Sequence, residues 1–286
     1  MASARDYQRQ INTVKNQARV FSALQTVSSV KFRKAEARVK RARPYAENVE
    51  EMMRDVAGSA SGDLPLLVGR EVNRVAICTL TADRGLAGGF NAQVLRRTVS
   101  LRNEKDRNAL QIASGRKAVA FFRFRRVRLA EVFTGFTDNP TYEKAREIGS
   151  TLTNLFEDEE ADEVYLVYNR FESALNQTPV VKRLLPVAEE GDEEEDDGAS
   201  YMEYVPDAET VLKRLVPRYV ETMVWQALLE GAAGEHGARM TAMKNATDNA
   251  NDLVRDLTLQ MNKARQAQIT QEILEIVGGA EALSAG

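Results

Sequence analysis

The strongest local signal for chemistry is the turn Asp83-Arg84-Gly85-Leu86-Ala87-Gly88-Gly89-Phe90-Asn91. It follows the apolar run Val72 to Leu80 and precedes a helical pattern. A glycine-rich turn from strand to helix can aim several backbone N–H groups at a phosphate. Its spacing, however, is neither G-x-G-x-x-G nor that of a P-loop, because Phe90-Asn91 stands where Lys-Ser/Thr is needed. It therefore reads as a tight turn or a partner-facing loop. His236 is the single histidine, which removes a His-rich metal site and the Ser-His-Asp triad. Beside Gly234 and Gly237 it reads as a helix-surface residue. Cys78, the single cysteine, excludes an internal disulfide and reads as a small buried hydrophobe within VAICTL. Carboxylates occur in runs such as Glu157 to Glu160, the pattern of a helix end rather than of a buried pair with divergent pKa values. No catalytic, cofactor or metal residue is assigned, and the chain is expected not to be an enzyme.

The elements that position these residues differ in period. From Ser3 to Ala57, residues seven apart form two stripes: Ile11, Ala18, Gln25, Phe32, Val39, Ala46, Met53, and Val14, Phe21, Ser28, Ala35, Ala42, Val49, Val56. A sustained heptad of this kind predicts a coiled coil, with Pro44 as a candidate kink. From Asp207 to Val277 the pattern returns, with Met240, Thr247, Val254, Met261 and Met243, Ala250, Leu257, Ala264 as its stripes. Asp207 is placed to cap this helix, and Gly278-Gly279 to stop it. Gly231, Gly234 and Gly237 predict a local irregularity midway. Two such helices at opposite chain ends most simply wind on each other, antiparallel.

The middle alternates. Val72 to Leu80, Ala109 to Ala113 and Glu163 to Phe171 read as strands, with Pro179 to Pro186 a further candidate. Asn91 to Glu104, Arg116 to Phe124 and Tyr142 to Phe156 read as helices. The expected fold class is α/β: a long antiparallel coiled coil of the N- and C-terminal helices plus a small Rossmann-like α/β domain. The expected division is 1–58, N-terminal coiled-coil helix; 70–206, α/β domain; 207–286, C-terminal coiled-coil helix.

The net charge of −3 conceals an asymmetry. Met1 to Ala57 holds twelve Lys/Arg against six Asp/Glu, while Glu189 to Gly198 (EEGDEEEDDG) is strongly acidic and reads as a solvated loop. The basic charges flank the seam without clustered aromatics, so no nucleic acid is expected. The N-terminal stretch lacks an apolar signal core, so export is not expected. No run reaches the roughly 20 apolar residues that cross a bilayer, so membrane association is expected only through partners.

Three stretches in order carry a resemblance over essentially the whole chain. Ala238 to Leu283 (ARMTAMKNATDNANDLVRDLTLQMNKARQAQITQEILEIVGGAEAL), LTADRGLAGGFN at Leu80 to Asn91, and RPYAENV at Arg43 to Val49 resemble the F-type ATP synthase gamma subunit of bacteria. The resemblance implies a central-stalk rotor that couples proton-driven rotation of a c-ring to the catalytic sites of an α3β3 hexamer, with the epsilon subunit alongside. It implies a peripheral position on the cytoplasmic side of the cell membrane. It assigns contacts with catalytic subunits to Arg265, Gln266, Gln268, Thr270 and Gln271, and to Asp83, Arg84, Gly85, Ala87, Gly88 and Gly89. Ile273 to Val277 would turn in the hexamer's sleeve, and Tyr201, Tyr204 and Asp207 would form the foot on the c-ring. The sequence departs from the family at Val20-Phe21-Ser22-Ala23-Leu24, which lacks the usual lysine. A middle-segment cysteine pair of the chloroplast type is also missing. Two other readings compete: an unrelated coiled-coil scaffold, which leaves the C-terminal run unexplained, and a nucleotide-dependent enzyme, which requires saturable nucleotide binding.

Overall fold

The computed structural model describes residues 3–59, 69–105, 109–187 and 208–284. Its elements in chain order are α1 (Ala4–Ser59), β1 (Val75–Leu80), α2 (Phe90–Glu104), β2 (Leu110–Ser114), α3 (Arg116–Phe124), β3 (Leu129–Phe133), α4 (Tyr142–Glu157), β4 (Glu163–Phe171), β5 (Gln177–Leu185) and α5 (Ala208–Ser284). Contacts divide the chain into two units, one of Met1–Val27 with Met240–Gly286 and one of Ser28–Arg239. The acidic tract Glu189 to Gly198 and the cap expected at Asp207 lie outside the described residues.

The heptad stripes of α1 are its buried side. Ile11, Ala18, Val39, Ala46 and Met53 are at most 8% exposed, whereas Val20, Val27 and Val30, off the stripes, are 57%, 54% and 53% exposed. On α5, Met243, Ala250 and Leu257 are buried, and Met240, Thr247, Val254, Met261 and Ala264 are half-buried. Within the larger unit the direction is explicit. The Phe32 ring lies against Gly237, Arg43 reaches Glu230, and Ala46, Val49 and Met53 share a core with Val216 to Leu228. Rising numbers on α1 meet falling numbers on α5, so the helices run antiparallel, as the stripes require. Pro44 lies inside α1 and is exposed; the helix runs through it to Ser59, so no break occurs there.

The glycines of α5 correct the sequence reading. Helix is unbroken through Gly231, Gly234 and Gly237, and Gly278-Gly279 does not stop it before Ser284. Two of the five serve close approach. A Cβ at Gly234 would sit 2.8 Å from the Phe90 ring, and one at Gly237 would sit 3.1 Å from the Ala174 backbone. Glycine weakens an isolated helix, but here it lets α5 lie directly on its neighbours, and the packing outweighs the propensity.

The sheet has the order β3-β2-β1-β4-β5, parallel except for the antiparallel β4–β5 pair. A strand buried on both faces reads as a continuous apolar run, which is why VAICTL was legible. Ala76, Cys78 and Leu80 face a core shared with Ile148, Leu152 and Phe156 of α4 and Val220 and Val224 of α5. Val75 and Ile77 face Val94 and Leu101 of α2. Burial pushes the Cys78 thiol up to about 12, so it is inert packing. β3 was not expected: LAEVF is an edge strand with three exposed residues, and it carries no apolar run. β5 spans Pro179, which an edge strand tolerates because it needs no donor on its outer side. Among the described residues no helix is long and apolar enough to cross a membrane.

The seam has a direct test. Val39→Ala, at 1% exposure, should lower unfolding free energy by about 2 kcal/mol. Val30→Ala should change it by less than about 0.5 kcal/mol. Urea unfolding followed by helical circular dichroism measures both, and equal losses would remove the seam from the account.

Candidate functional site

The carboxyl ends of β1, β2 and β3 deliver three loops to one place, and short side chains lace them together. Thr81 donates from its backbone N (2.8 Å) and its hydroxyl (3.1 Å) to the Ser114 carbonyl, and its Oγ1 accepts from the Ala118 N–H (2.9 Å). The Gly115 N–H donates to Phe133 O at 2.8 Å. Gly115 has φ +91°, and a Cβ there would lie 2.1 Å from the Thr81 carbonyl oxygen, so glycine is required.

Asp83 joins all three loops. Its Oδ1 accepts from the Arg116 N–H at 3.1 Å, and its Oδ2 accepts from the N–H of Gly135 (2.8 Å) and Thr137 (3.2 Å) and from the Thr137 hydroxyl (3.1 Å). Its own N–H donates back to Thr137 Oγ1 at 2.8 Å. Burial alone would raise its pKa, but the donors from Gly135, Thr137 and Arg116 outweigh that and hold the carboxyl below its ordinary 3.8. Asn91 completes the brace, its side-chain oxygen accepting from Ala82 N–H at 2.8 Å.

On this base the tip is turned outward. Leu86 has φ +61° and is 61% exposed, while Ala87 and Phe90 turn inward to pack with Ala82 and Ala238. A β-carbon residue held at positive φ stores about 1 kcal/mol of strain, a cost that marks functional turns. Arg84, Gly88 and Gly89 are exposed. Of the loop residues expected to meet a partner, Ala87 packs its side chain inward at 2% exposure, whereas Leu86, not among those expected, points out. Behind the loop, Arg239 Nε donates to the Gly85 carbonyl at 3.1 Å. In an open α/β sheet a ligand enters the crevice at the strand-order switch, here between β1 and β4. Phe90 fills the start of α2 on that side, its ring against Gly234 and its carbonyl accepting from Asn169 Nδ2 at 2.9 Å.

Beneath the loop lies a buried charged group on α5 that sequence reasoning did not find. His236, expected on the surface, is 2% exposed. Its Nε2 lies 3.3 Å from the Asp138 carbonyl oxygen, and Arg239 bridges Glu235, His236 and Gly85. Lys31 of α1 pairs with Asp138. Burial lowers the His236 pKa and raises that of Glu235, each disfavouring the charged form. The signal was present in the sequence. Gly234 and Gly237, three apart, put one backbone face of α5 against its neighbours, and the intervening polar residues are carried inward with it. Among the described residues no group of three or more His, Cys, Asp and Glu could hold a metal ion.

The second set of expected residues lies elsewhere on α5, past the half-buried Ala264. Arg265, Gln266, Gln268, Thr270 and Gln271 are all exposed. Gln268 and Gln271 donate to Glu272 (3.1 Å) and Glu275 (3.0 Å), one helical turn on. Ile269, Ile273, Leu274, Ile276 and Val277 are 48–72% exposed. Tyr201, Tyr204 and Asp207 lie outside the described residues.

Asp83 gives a pH test. A carboxyl with a folded pKa below 3.8 contributes stability that is complete above that value and lost as pH falls through the folded pKa. Asp83→Asn should cost about 2 kcal/mol at pH 7, because an amide replaces an acceptor of several N–H donors. It should also abolish the part of the acid destabilisation seen below about pH 4 that Asp83 supplies. Urea midpoints between pH 7 and pH 3 check both, and an unchanged midpoint at pH 7 contradicts the tethering role.

Comparison with known proteins gives concordant results. The family model described as ATP synthase matches residues 3–283. The ATP synthase gamma chain of Rubrobacter xylanophilus is 68% identical over 290 residues, covering 100% of both chains. That of Desulfitobacterium hafniense is 46% identical, covering 99% of this chain and 100% of the other. Among solved structures, a chain of the Euglena gracilis mitochondrial ATP synthase assembly of OSCP, F1 and c-ring has a TM-score of 0.70 at 19% identity, covering 99% of this chain and 95% of that one, which supports the fold. By the end-to-end family match and these relatives, the chain belongs to the ATP synthase family, among its gamma chains.

Proposed function

We propose that this chain is the central-stalk rotor of an F-type ATP synthase, a non-catalytic shaft that couples rotation of a membrane c-ring to the catalytic sites of an α3β3 hexamer. The observation that carries this reading is the end of α5. A helix whose seam is buried as far as Leu257 continues to Ser284, and residues 265–280 are exposed without exception. A soluble monomer gains nothing from holding Ile273, Leu274, Ile276 and Val277 in water; such a surface is built to be covered. A hexamer with a central sleeve covers it without requiring identical contacts on all sides, as turning demands.

In this reading Arg265, Gln266, Gln268, Thr270 and Gln271 meet the catalytic subunits through long donors that exchange partners as the shaft turns. The Asp83–Gly89 loop meets a second catalytic-subunit surface through Arg84, Leu86 and the backbone of Gly85, Gly88 and Gly89. The epsilon subunit and the c-ring bind at the α/β domain, with Tyr201, Tyr204 and Asp207 as the foot. The working parts are the helices 1–58 and 207–286 and the α/β domain 70–206. The chain reaches the cytoplasmic face of the membrane only through these partners. Work is done by differential contact: each orientation of an uneven surface stabilises one conformation of a catalytic site over its alternatives.

Two variants test the two contact regions separately. The triple change Arg265→Ala, Gln268→Ala, Gln271→Ala removes exposed groups, so the chain should fold with unchanged stability. In the reconstituted enzyme, coupled ATP synthesis should fall by roughly tenfold, the effect of losing one charge-assisted hydrogen bond. Synthesis at the unaltered rate would refute the assignment of these residues. Leu86→Gly should raise the stability of the chain by about 0.5–1 kcal/mol by relieving positive φ, yet weaken its retention in the α3β3 complex. Stabilisation with undiminished retention would leave Leu86 without a partner.

A further inference from the structure

At the opposite, amino edge of the sheet there is a cleft of about 980 Å³ with no part in the rotor reading. Its walls come from four places in the chain. Arg74 precedes β1, Arg102 lies in the last turn of α2, Arg125, Arg126 and Arg128 connect α3 to β3, and Glu160 precedes β4. Five arginines and one glutamate thus line it, and Arg74 also borders an adjoining cleft that holds Glu71, Glu159 and Asp162. Arg102 is committed to the floor, donating to Ala109 O at 2.9 Å and Gln111 Oε1 at 3.3 Å. Arg125 is held by stacking over the Phe121 ring at 4.8 Å. Arg74, Arg125, Arg126 and Arg128 form no ion pair with a carboxylate among the described residues, although the Asp162 carboxylate accepts from the Arg74 backbone N–H only 2.9 Å away.

Cations at a helix C-terminus are favoured by its dipole, which accounts for Arg125 and Arg126 after α3. It does not account for Arg74 or Arg128, which belong to other elements. Arg126 is turned through φ +57°, a left-handed conformation in which arginine has no advantage over glycine or asparagine. Gathering like charges costs free energy unless an anion offsets it, and a concave wall focuses their field. Each guanidinium fork can hold two oxygens of one anion, so several adjacent forks suit a ligand with several neighbouring phosphates. Phe124, which precedes Arg125 in the chain, is 88% exposed, the most exposed large hydrophobic residue among those described.

We propose that this cleft is a phosphate-binding site, taking a ligand with several adjacent phosphate groups, either a soluble oligophosphate or the headgroups of anionic phospholipid. The test uses the full chain and tripolyphosphate, titrated calorimetrically at low and at high salt. Saturable binding that weakens with salt is expected. The variant Arg125→Gln, Arg126→Asn, Arg128→Gln should weaken it by about tenfold or more. The control Arg33→Gln, Lys34→Gln, Arg41→Gln removes the same charge from exposed positions on α1 and should weaken it less than about twofold. Circular dichroism establishes that both variants are folded. Co-sedimentation with phosphatidylglycerol vesicles, against phosphatidylcholine, identifies the source. Retention lost in the cleft variant and in Phe124→Ser assigns lipid headgroups; tripolyphosphate binding without vesicle retention assigns a soluble oligophosphate. Binding of neither probe, or equal weakening by the α1 control, overturns the proposal.

Discussion

The antiparallel pairing of α1 with α5 is the constraint on which the rest depends. A helix that repeats small and apolar residues every seven positions can hide that stripe only against another helix of matching period. The partner stripe in this chain lies at the other end, so both termini must return to one another. Everything between them is then an insertion whose ends are held together. A parallel sheet with one antiparallel edge satisfies that condition because β5 brings the chain back toward the start of β4. Small seam residues serve the approach: Ala35 and Ala42 of α1 pack with Leu229 and Ala233 of α5.

Docking α5 onto the sheet domain uses polar contacts as much as apolar ones. Glu230, 4% exposed, accepts from Gln226 (2.8 Å), from the Phe171 N–H (3.1 Å) and from Arg43 (3.3 Å). One carboxylate thereby ties α5, α1 and the end of β4. Glu235, His236 and Arg239 repeat the device under the glycine-rich loop. Such groups add little net stability compared with well-packed apolar side chains, but losing one partner leaves a buried charge uncompensated. They specify register: sliding α5 by one turn would break the contacts of Glu230 with Arg43 and Phe171, of His236 with Asp138 and of Arg239 with Gly85. A shaft that transmits torque needs that definition of register more than additional stability.

The carboxyl edge of the sheet illustrates how a familiar architecture is diverted. Its loops cluster where doubly wound folds bind nucleotides, and a glycine-rich turn leads into α2. The space at the start of α2 is taken by Phe90, whose fit depends on Gly234 of α5. With that crevice filled, the turn is left to display Arg84 and Leu86 on a base fixed by Asp83. In the proposed rotor the same loop position serves contact with a partner, and the crevice is filled by one aromatic ring seated where α5 lacks a Cβ.

Regularity explains what was legible from residues alone. The stripes of α1 and α5, the run VAICTL and the period of α4 are local patterns set by burial on one helix face or two strand faces, and each became the element its period implied. The family resemblance was legible for the same reason, since it rests on contiguous runs. β3 was invisible because an exposed edge strand has no apolar side to repeat. The burial of His236, the continuity of α5 through Gly234 and Gly237, the inward turn of Ala87 and the outward turn of Leu86 depend on atoms far away in sequence. Sequence by itself determined the two long helices, their mutual need and the alternating middle, because short-range periodicity encodes which face must leave water. Only the tertiary structure decided which glycines are contacts, which charges are buried and which loop residues face out, because these follow from how closely separate elements approach.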